Sequence, residues 1–256
     1  MKITFLGTGT STGVPEIGCS CEVCTSRDRR DSRLRTSVLV ETQGKNILLD
    51  CGPDFRQQAL ANKVSRVDAV IISHEHYDHV GGLDDLRPFC MEKGLDIYAE
   101  DYVVSAIRTR MPYAFRAHHF PGLPRLELHP VGKLPFMAAG VPIVPVRLLH
   151  GCLEILGYRI GNMAYLTDVK HIPGEEFEKL ENLDVLIIDA LRKKEHPSHQ
   201  NLAEALANIA RIRPKEAYLI HLSHRMGLHA VVENELASNI HPAYDGLVIQ
   251  FGMQPV

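Results

Sequence analysis

Short apolar runs, broken by glycine, proline or charge, recur along the whole chain, and their period switches between two and about three and a half. The run Val67-Asp68-Ala69-Val70-Ile71-Ile72 reads as a buried strand. Alternating or continuous apolar segments predict further strands at 37–41, 46–50, 96–99, 126–130, 143–149, 153–160, 163–166, 185–188, 217–220 and 247–251, after an opening strand that runs into Gly7. Helical spacing predicts helices over 55–61, 83–92, 101–110, 201–212 and 231–238. There is no internal repeat, low-complexity tract or linker. Each half is thus sheet plus helices, and the expected architecture is two sheets packed face to face with helices outside, an α/β (α+β) fold of one domain over residues 1–256.

The breaks between these runs differ in character. Gly7-Thr8-Gly9-Thr10-Ser11-Thr12-Gly13-Val14-Pro15 has the glycines of a phosphate loop but neither its spacing nor a helix behind it, so it reads as a tight turn beside an active site. Residues 111–125, with Arg116, His118 and His119, have no period and read as a packed loop or lid whose polar residues are at the surface or in an interface. Arg27, Arg29, Arg30, Arg33 and Arg35 alternate with Asp28 and Asp31, the pattern of a solvated charged loop. Glu175, Glu176, Glu178 and Glu181 read as the acidic face of a short helix.

Bulk composition narrows the partners. A formal net charge of −3 gives no broad footprint for a long nucleic acid. The opening strand lacks a secretory h-region, and no apolar run is long enough for a membrane span, so a soluble cytoplasmic protein is expected. Against this ordinary background stand 14 histidines.

Those histidines are not scattered. The strand at 67–72 leads into Ser73-His74-Glu75-His76-Tyr77-Asp78-His79, and other apolar runs end in His150, Asp168 and His221, with Asp50 and Asp189 similarly placed. Ligands on the ends of separate strands can converge at one edge of a sheet sandwich. His74, His76, His79, His150 and His221 offer nitrogens, and Asp78 and Asp168 carboxylates. Such a set exceeds one tetrahedral ion but suits two ions, about 3.5–4 Å apart, that share a carboxylate and a hydroxide. The sum points to a binuclear hydrolase. Cys19, Cys21 and Cys24 form a second group, C-x-C-x-x-C, which needs a fourth ligand to close a structural zinc site; His224 is the candidate and Cys51 the alternative. Cys51, Cys90 and Cys152 otherwise read as buried thiols.

His74-x-His76-x-Asp78-His79, followed in order by His150, Asp168 and His221, resembles the metallo-β-lactamase superfamily over nearly the whole chain. The resemblance implies the four-layer αβ/βα sandwich, with His74, His76 and His150 on one ion, Asp78, His79 and His221 on the other, and Asp168 between them. It makes Asp50 the residue that holds the motif loop by hydrogen bonds. The cysteine loop at about 18–25, together with Gly81-Gly82-Leu83-Asp84-Asp85-Leu86-Arg87-Pro88-Phe89, is similar to the PhnP-type phosphodiesterases of the phosphonate-degrading C-P lyase pathway. In that family the cysteines and a late histidine bind zinc. Pro197-Ser198-His199-Gln200-Asn201-Leu202 resembles the pre-helix motif whose histidine protonates the leaving oxygen, which assigns that role to His199, with His196 as the substitute.

The expectation is therefore a dinuclear phosphodiesterase acting on a small phosphodiester, a cyclic ribose phosphate or a nucleotide. Asp78 orients the nucleophile and His199 is the general acid. Zinc, manganese or iron suits the catalytic ions, and zinc the cysteine site; a homodimer follows from the family likeness. Rival readings are tRNA 3′-end processing, glyoxalase-type thioester hydrolysis, β-lactam hydrolysis and a noncatalytic metal-binding or ligand-sensing module.

Overall fold

The computed structural model describes residues 1–90, 93–115 and 122–252. The chain order is β1 (Lys2–Gly7), β2 (Ser37–Thr42), β3 (Lys45–Leu49), α1 (Phe55–Ala61), β4 (Ala69–Ile71), α2 (Tyr77–Val80), β5 (Leu95–Ala99), α3 (Asp101–Arg110), β6 (Leu126–Pro130), β7 (Phe136–Ala138), β8 (Val141–His150), β9 (Leu153–Ile160), β10 (Met163–Leu166), β11 (Val185–Asp189), α4 (Leu202–Ile212), β12 (Glu216–Ile220), α5 (His229–Glu235), β13 (Ile240–Pro242) and β14 (Val248–Gln250). One seven-stranded sheet has the order β14-β1-β2-β3-β4-β5-β6, the other β13-β12-β11-β10-β9-β8-β7. The expected sandwich is present.

Strand alternation builds its layers. Val38, Val40, Ile47, Leu49 and Ile71 face Tyr158, Ile160, Tyr165, Ile187 and Ile220 of the second sheet in the central core. Their neighbours Leu39, Leu48 and Val70 turn the other way, under Phe55 of α1 and Val103 and Ile107 of α3. Leu186 and Ile188 likewise turn outward onto Ala205, Ile209 and Ile212 of α4. Burying each such side chain contributes about 1.5–3 kcal/mol, so the pleat fixes which residues end up at the sheet edge. α4 begins at a capping box in which Asn201 accepts from the Glu204 N–H at 2.8 Å and the Glu204 carboxylate accepts from the Asn201 N–H at 2.8 Å.

Several expectations need correction. The helix drawn over 83–92 is a 3-10 helix, Leu83–Phe89, with Pro88 inside it; a proline ring removes one amide donor and crowds the preceding turn. The helix drawn over 231–238 runs instead from His229 to Glu235. The edge strands β7 and β13 have three residues each, too short to leave a period. Cys152 is exposed in the turn between β8 and β9, not buried. In the arginine-rich loop Arg33 is buried, donating to Thr8 Oγ1 at 2.8 Å, and burial pulls its pKa down to about 10. Glu176 is buried too, accepting from the Arg147 N–H at 2.9 Å and Lys179 Nζ at 2.8 Å. Of the loop at 111–125, Pro112–Phe115 form a 3-10 turn, whereas Arg116, His118 and His119 lie outside the described residues. No described helix is long and apolar enough to cross a membrane.

Candidate metal centre

Asp50 organises the edge where the strands end. It follows β3, is fully buried, and accepts four hydrogen bonds: Ser73 N at 2.8 Å, Ser73 Oγ at 2.9 Å, His79 Nδ1 at 2.8 Å and, from the opposite sheet, Tyr165 OH at 2.8 Å. Tyr158 OH, also from the second sheet, donates to Ile72 O at 2.8 Å. The motif loop is therefore tied to both sheets. Gly52 allows it to approach, because a Cβ there would stand 2.1 Å from the Asp78 carbonyl oxygen.

Two ligand groups converge on this edge. His74, His76 and His150 bring their nitrogens within 4.8 Å of one another, and so do the donor atoms of Asp78, His79, Asp168 and His221. Asp168 lies between the groups: Oδ1 is 3.9 Å from His74 Nε2 and 3.2 Å from His221 Nε2, while Oδ2 is 3.1 Å from His79 Nε2. Asp50, Asp168 and His221 all adopt left-handed backbone, at φ of 58°, 54° and 56°. Non-glycine residues are held there at a cost of order 1–3 kcal/mol each, and such strain clusters at sites.

The donor chemistry fits cations. His79 uses Nδ1–H on Asp50, which leaves the lone pair of Nε2 facing Asp168 Oδ2 and, at 3.2 Å, Asp78 Oδ2. That buried nitrogen has no hydrogen-bond partner among the described residues. A lone pair opposed to two carboxylates is repulsive unless a positive charge lies between them. Without an ion a proton must serve: burial alone would lower the His79 pKa, but Asp168, Asp78 and Asp50 hold it well above the usual range. Conversely, burial and then His79 keep His74 well below it, and burial lowers His150, so both rings are neutral and offer lone pairs. His150 Nδ1 donates to Ser198 O at 2.9 Å, which turns Nε2 toward the group. Burial opposes ionisation of Asp168 and Asp78, yet the adjacent histidines keep both far below the ordinary carboxylate range.

His199 flanks this centre. Its ring stacks on His221 at 4.9 Å between centroids and meets His150 edge-on at 4.5 Å. Nδ1 is 3.0 Å from Oδ2 of Asp189, a fully buried carboxyl whose pKa burial raises well above the ordinary value. The sequence marks Asp189 only as a strand end; its partnership with His199 has no local signal, because it arises where β11 and the α4 approach meet. His196 lies farther out, 5.1 Å from the His199 ring, with Nδ1 accepting from the Ser198 N–H at 3.3 Å.

A second cluster stands apart. The donor atoms of Cys19, Cys21, Cys24 and His224 lie within 4.8 Å of one another, with Cys24 Sγ 3.5 Å from His224 Nδ1. Cys51, the alternative fourth ligand, is instead buried in the core against α1. Burial pushes the Cys24 thiol up to about 11, against a hydrogen bond from the Glu16 N–H at 3.4 Å. Three sulfurs and one imidazole are a donor set for a closed tetrahedral zinc site.

Residues 45–222 match the family model of the beta-lactamase superfamily domain. A solved diphosphatase from the PhnP family is 38% identical, superposes with a TM-score of 0.92, and is covered to 98%, as is this chain. The short form of human tRNase Z, 21% identical with a TM-score of 0.70 over 98% of this chain and 99% of that one, shares the fold. A Porphyromonas gingivalis protein named octanoyltransferase is 52% identical over 96% of this chain and 51% of its own length, so the chain spans about half of that curated relative.

Proposed function

The chain belongs to the beta-lactamase superfamily and, within it, to the PhnP family of metal-dependent hydrolases, and from that premise we propose that it hydrolyses a small phosphodiester, a cyclic ribose phosphate or a nucleotide. The observation that supports this reading best is the His199–Asp189 pair at 3.0 Å beside the two ligand groups. It supplies a proton where a leaving oxygen departs. His74, His76 and His150 hold one divalent ion, and Asp78, His79 and His221 the other, with Asp168 between them. When bound, such ions lower the pKa of water and neutralise charge on phosphoryl oxygens, as zinc, manganese or iron does.

The residues divide the remaining work. Water attacks phosphorus, keeping one proton on the new phosphate oxygen and releasing the other, and the P–O bond to the leaving alkoxide breaks; the alkoxide takes its proton from His199 Nε2 and the proton released by water restores the His199–Asp189 pair, leaving a phosphomonoester and an alcohol. Asp189 fixes the His199 ring through Nδ1, and because burial raises the carboxyl and lowers the imidazole, the two groups share one proton, which reaches the leaving oxygen through His199 Nε2. Asp78, held as a carboxylate by its histidine neighbours, accepts a hydrogen bond from the attacking water and so aims it. Cys19, Cys21, Cys24 and His224 hold a structural zinc away from this chemistry.

His199→Ala tests the assignment: phosphodiester turnover falls about 10²–10⁴-fold while the metal count per chain is unchanged. Full turnover in that variant removes His199 from the mechanism. The octanoyltransferase relative adds a second substrate to the same assay, an octanoyl thioester. Turnover of the thioester without turnover of the phosphodiester replaces the reading with acyl-thioester hydrolysis. Turnover of neither by fully metallated protein leaves a noncatalytic metal-binding module.

A further inference from the structure

Tyr77 stands between two of the motif's ligand residues yet turns away from them: Asp78 and His79 are buried, whereas Tyr77 is 63% exposed. Its ring lies on Gly81, where a Cβ would come within 2.8 Å of Cε2 and Cζ, so the glycine lets the ring lie flat on the α2 backbone. Tyr77 and Gly81 form one wall of a cavity of about 200 Å³ whose other walls include Ile107, Arg110, Met111 and Tyr113. No ligand residue lines this cavity, but it shares the motif loop with the metal centre. The Arg110 guanidinium donates to the carbonyl of Glu75, one residue before His76, and Tyr77 follows one residue after it. His76 is the exposed member of its trio, with His74 and His150 buried, and in the chain it lies between Glu75, which Arg110 contacts, and Tyr77 of the cavity wall.

The walls have a distinct chemistry. Two tyrosine rings and a thioether are the surfaces against which flat heteroaromatic rings pack, and a guanidinium at the rim adds a stacking plane and positive charge. Asp84, the single carboxyl that lines it among the described residues, is occupied: it accepts from Tyr113 OH at 2.7 Å and from Arg87 at 2.7 Å. A bound ring thus meets no free anion among the described residues.

We infer that this cavity receives the base of a nucleotide substrate, with Tyr77 as the stacking face and Arg110 at the rim nearest the phosphate. The inference rests on the phosphodiesterase reading and narrows its substrate class to phosphodiesters that carry an aromatic base.

The test compares adenosine 2′,3′-cyclic phosphate with a ribose cyclic phosphate lacking the base, on protein with its full metal complement. In Tyr77→Ala the ratio of kcat/KM for the adenosine substrate to that for the base-free one falls about tenfold, through KM, as the loss of one stacking contact does. Tyr77→Phe keeps the ratio, and equal metal content and Tm in both variants verify that the loop is intact. A ratio unmoved by Tyr77→Ala, or a wild-type enzyme with no preference for the adenosine substrate, overturns the inference. Hydrolysis of neither compound by the wild type defeats the phosphodiesterase reading instead. The cavity is then judged by equilibrium binding: tighter binding of adenosine monophosphate than of ribose 5-phosphate, lost in Tyr77→Ala, supports it, and equal affinities overturn it.

Discussion

The two ligand clusters of this molecule are built on opposite plans. The histidine and carboxylate centre takes its donors from strand ends of both sheets, buries most of them, and fixes the orientation of His79 and His150 with hydrogen bonds to Asp50 and Ser198. The cysteine cluster hangs on a loop in which Cys21 is exposed and Cys19 and Cys24 are half-buried, with His224 reaching it from a 3-10 turn after β12. In the first, the scaffold makes the site and a bound ion would relieve its electrostatic conflict. In the second, a bound ion would itself be the crosslink between distant segments.

The difference is open to measurement, the largest effect first. Asp50→Ala leaves Ser73 N, His79 Nδ1 and Tyr165 OH buried without their acceptor. Stability is expected to fall by about 4 kcal/mol, read as a Tm drop of roughly 10 °C, with activity down at least about 100-fold. An Asp50→Ala protein that keeps its Tm would show that the centre is assembled by its ions after all. Cys24→Ser is expected to lose one zinc per chain and to raise amide exchange over residues 16–26, with kcat within about threefold of wild type. A fall in kcat as large as that of His199→Ala would join the two clusters into one functional unit.

The smallest effect probes what anchors the cysteine loop besides an ion. The Arg33 guanidinium lies 3.2 Å from His229 Nδ1, and Asp31 Oδ1 accepts from the His229 N–H at 2.6 Å, pinning the loop to α5. Burial and then Arg33 lower the His229 pKa to about 4 from an ordinary 6.5. The unfolded chain therefore takes up the proton first, and the stability that the neutral ring contributes is lost as pH falls from 6.5 towards 4. Nearby Asp245 works in the opposite sense: burial raises it to about 6 from 3.8, so protonation over that window favours the folded state and offsets part of the loss. Thermal melts between pH 7 and 5 read the net: the Tm of wild type is expected to decline more steeply than that of His229→Gln. Parallel slopes would remove His229 from the anchor.

How much of this was legible in the sequence follows from how local each signal is. His74, His76, Asp78 and His79 announce themselves within one turn, and His150, Asp168 and His221 do so because each closes an apolar run. Strand alternation likewise carries the sandwich, since Val38, Leu39 and Val40 can only face opposite layers. Asp189 was visible as a strand end but not as the partner of His199, which depends on a contact between segments that the chain order does not encode. Arg33 was misread because a run of alternating charges looks the same whether or not one member turns inward onto Thr8. Tyr77 gave no sign of a cavity, as its role depends on the ring meeting Gly81 and on walls drawn from α3 and beyond.

Asp50 also bears on the order in which the protein matures. The amino-terminal half of the chain carries His74, His76, Asp78 and His79, and the carboxy-terminal half His150, Asp168 and His221, so neither half alone offers a complete cradle for either ion. Because Asp50 joins Ser73 and His79 to Tyr165 across the sandwich, the cradle closes only when the two halves have met. Capture of catalytic ions would therefore come late in the life of the newly made chain, and a misfolded or half-synthesised copy would compete poorly for scarce metal.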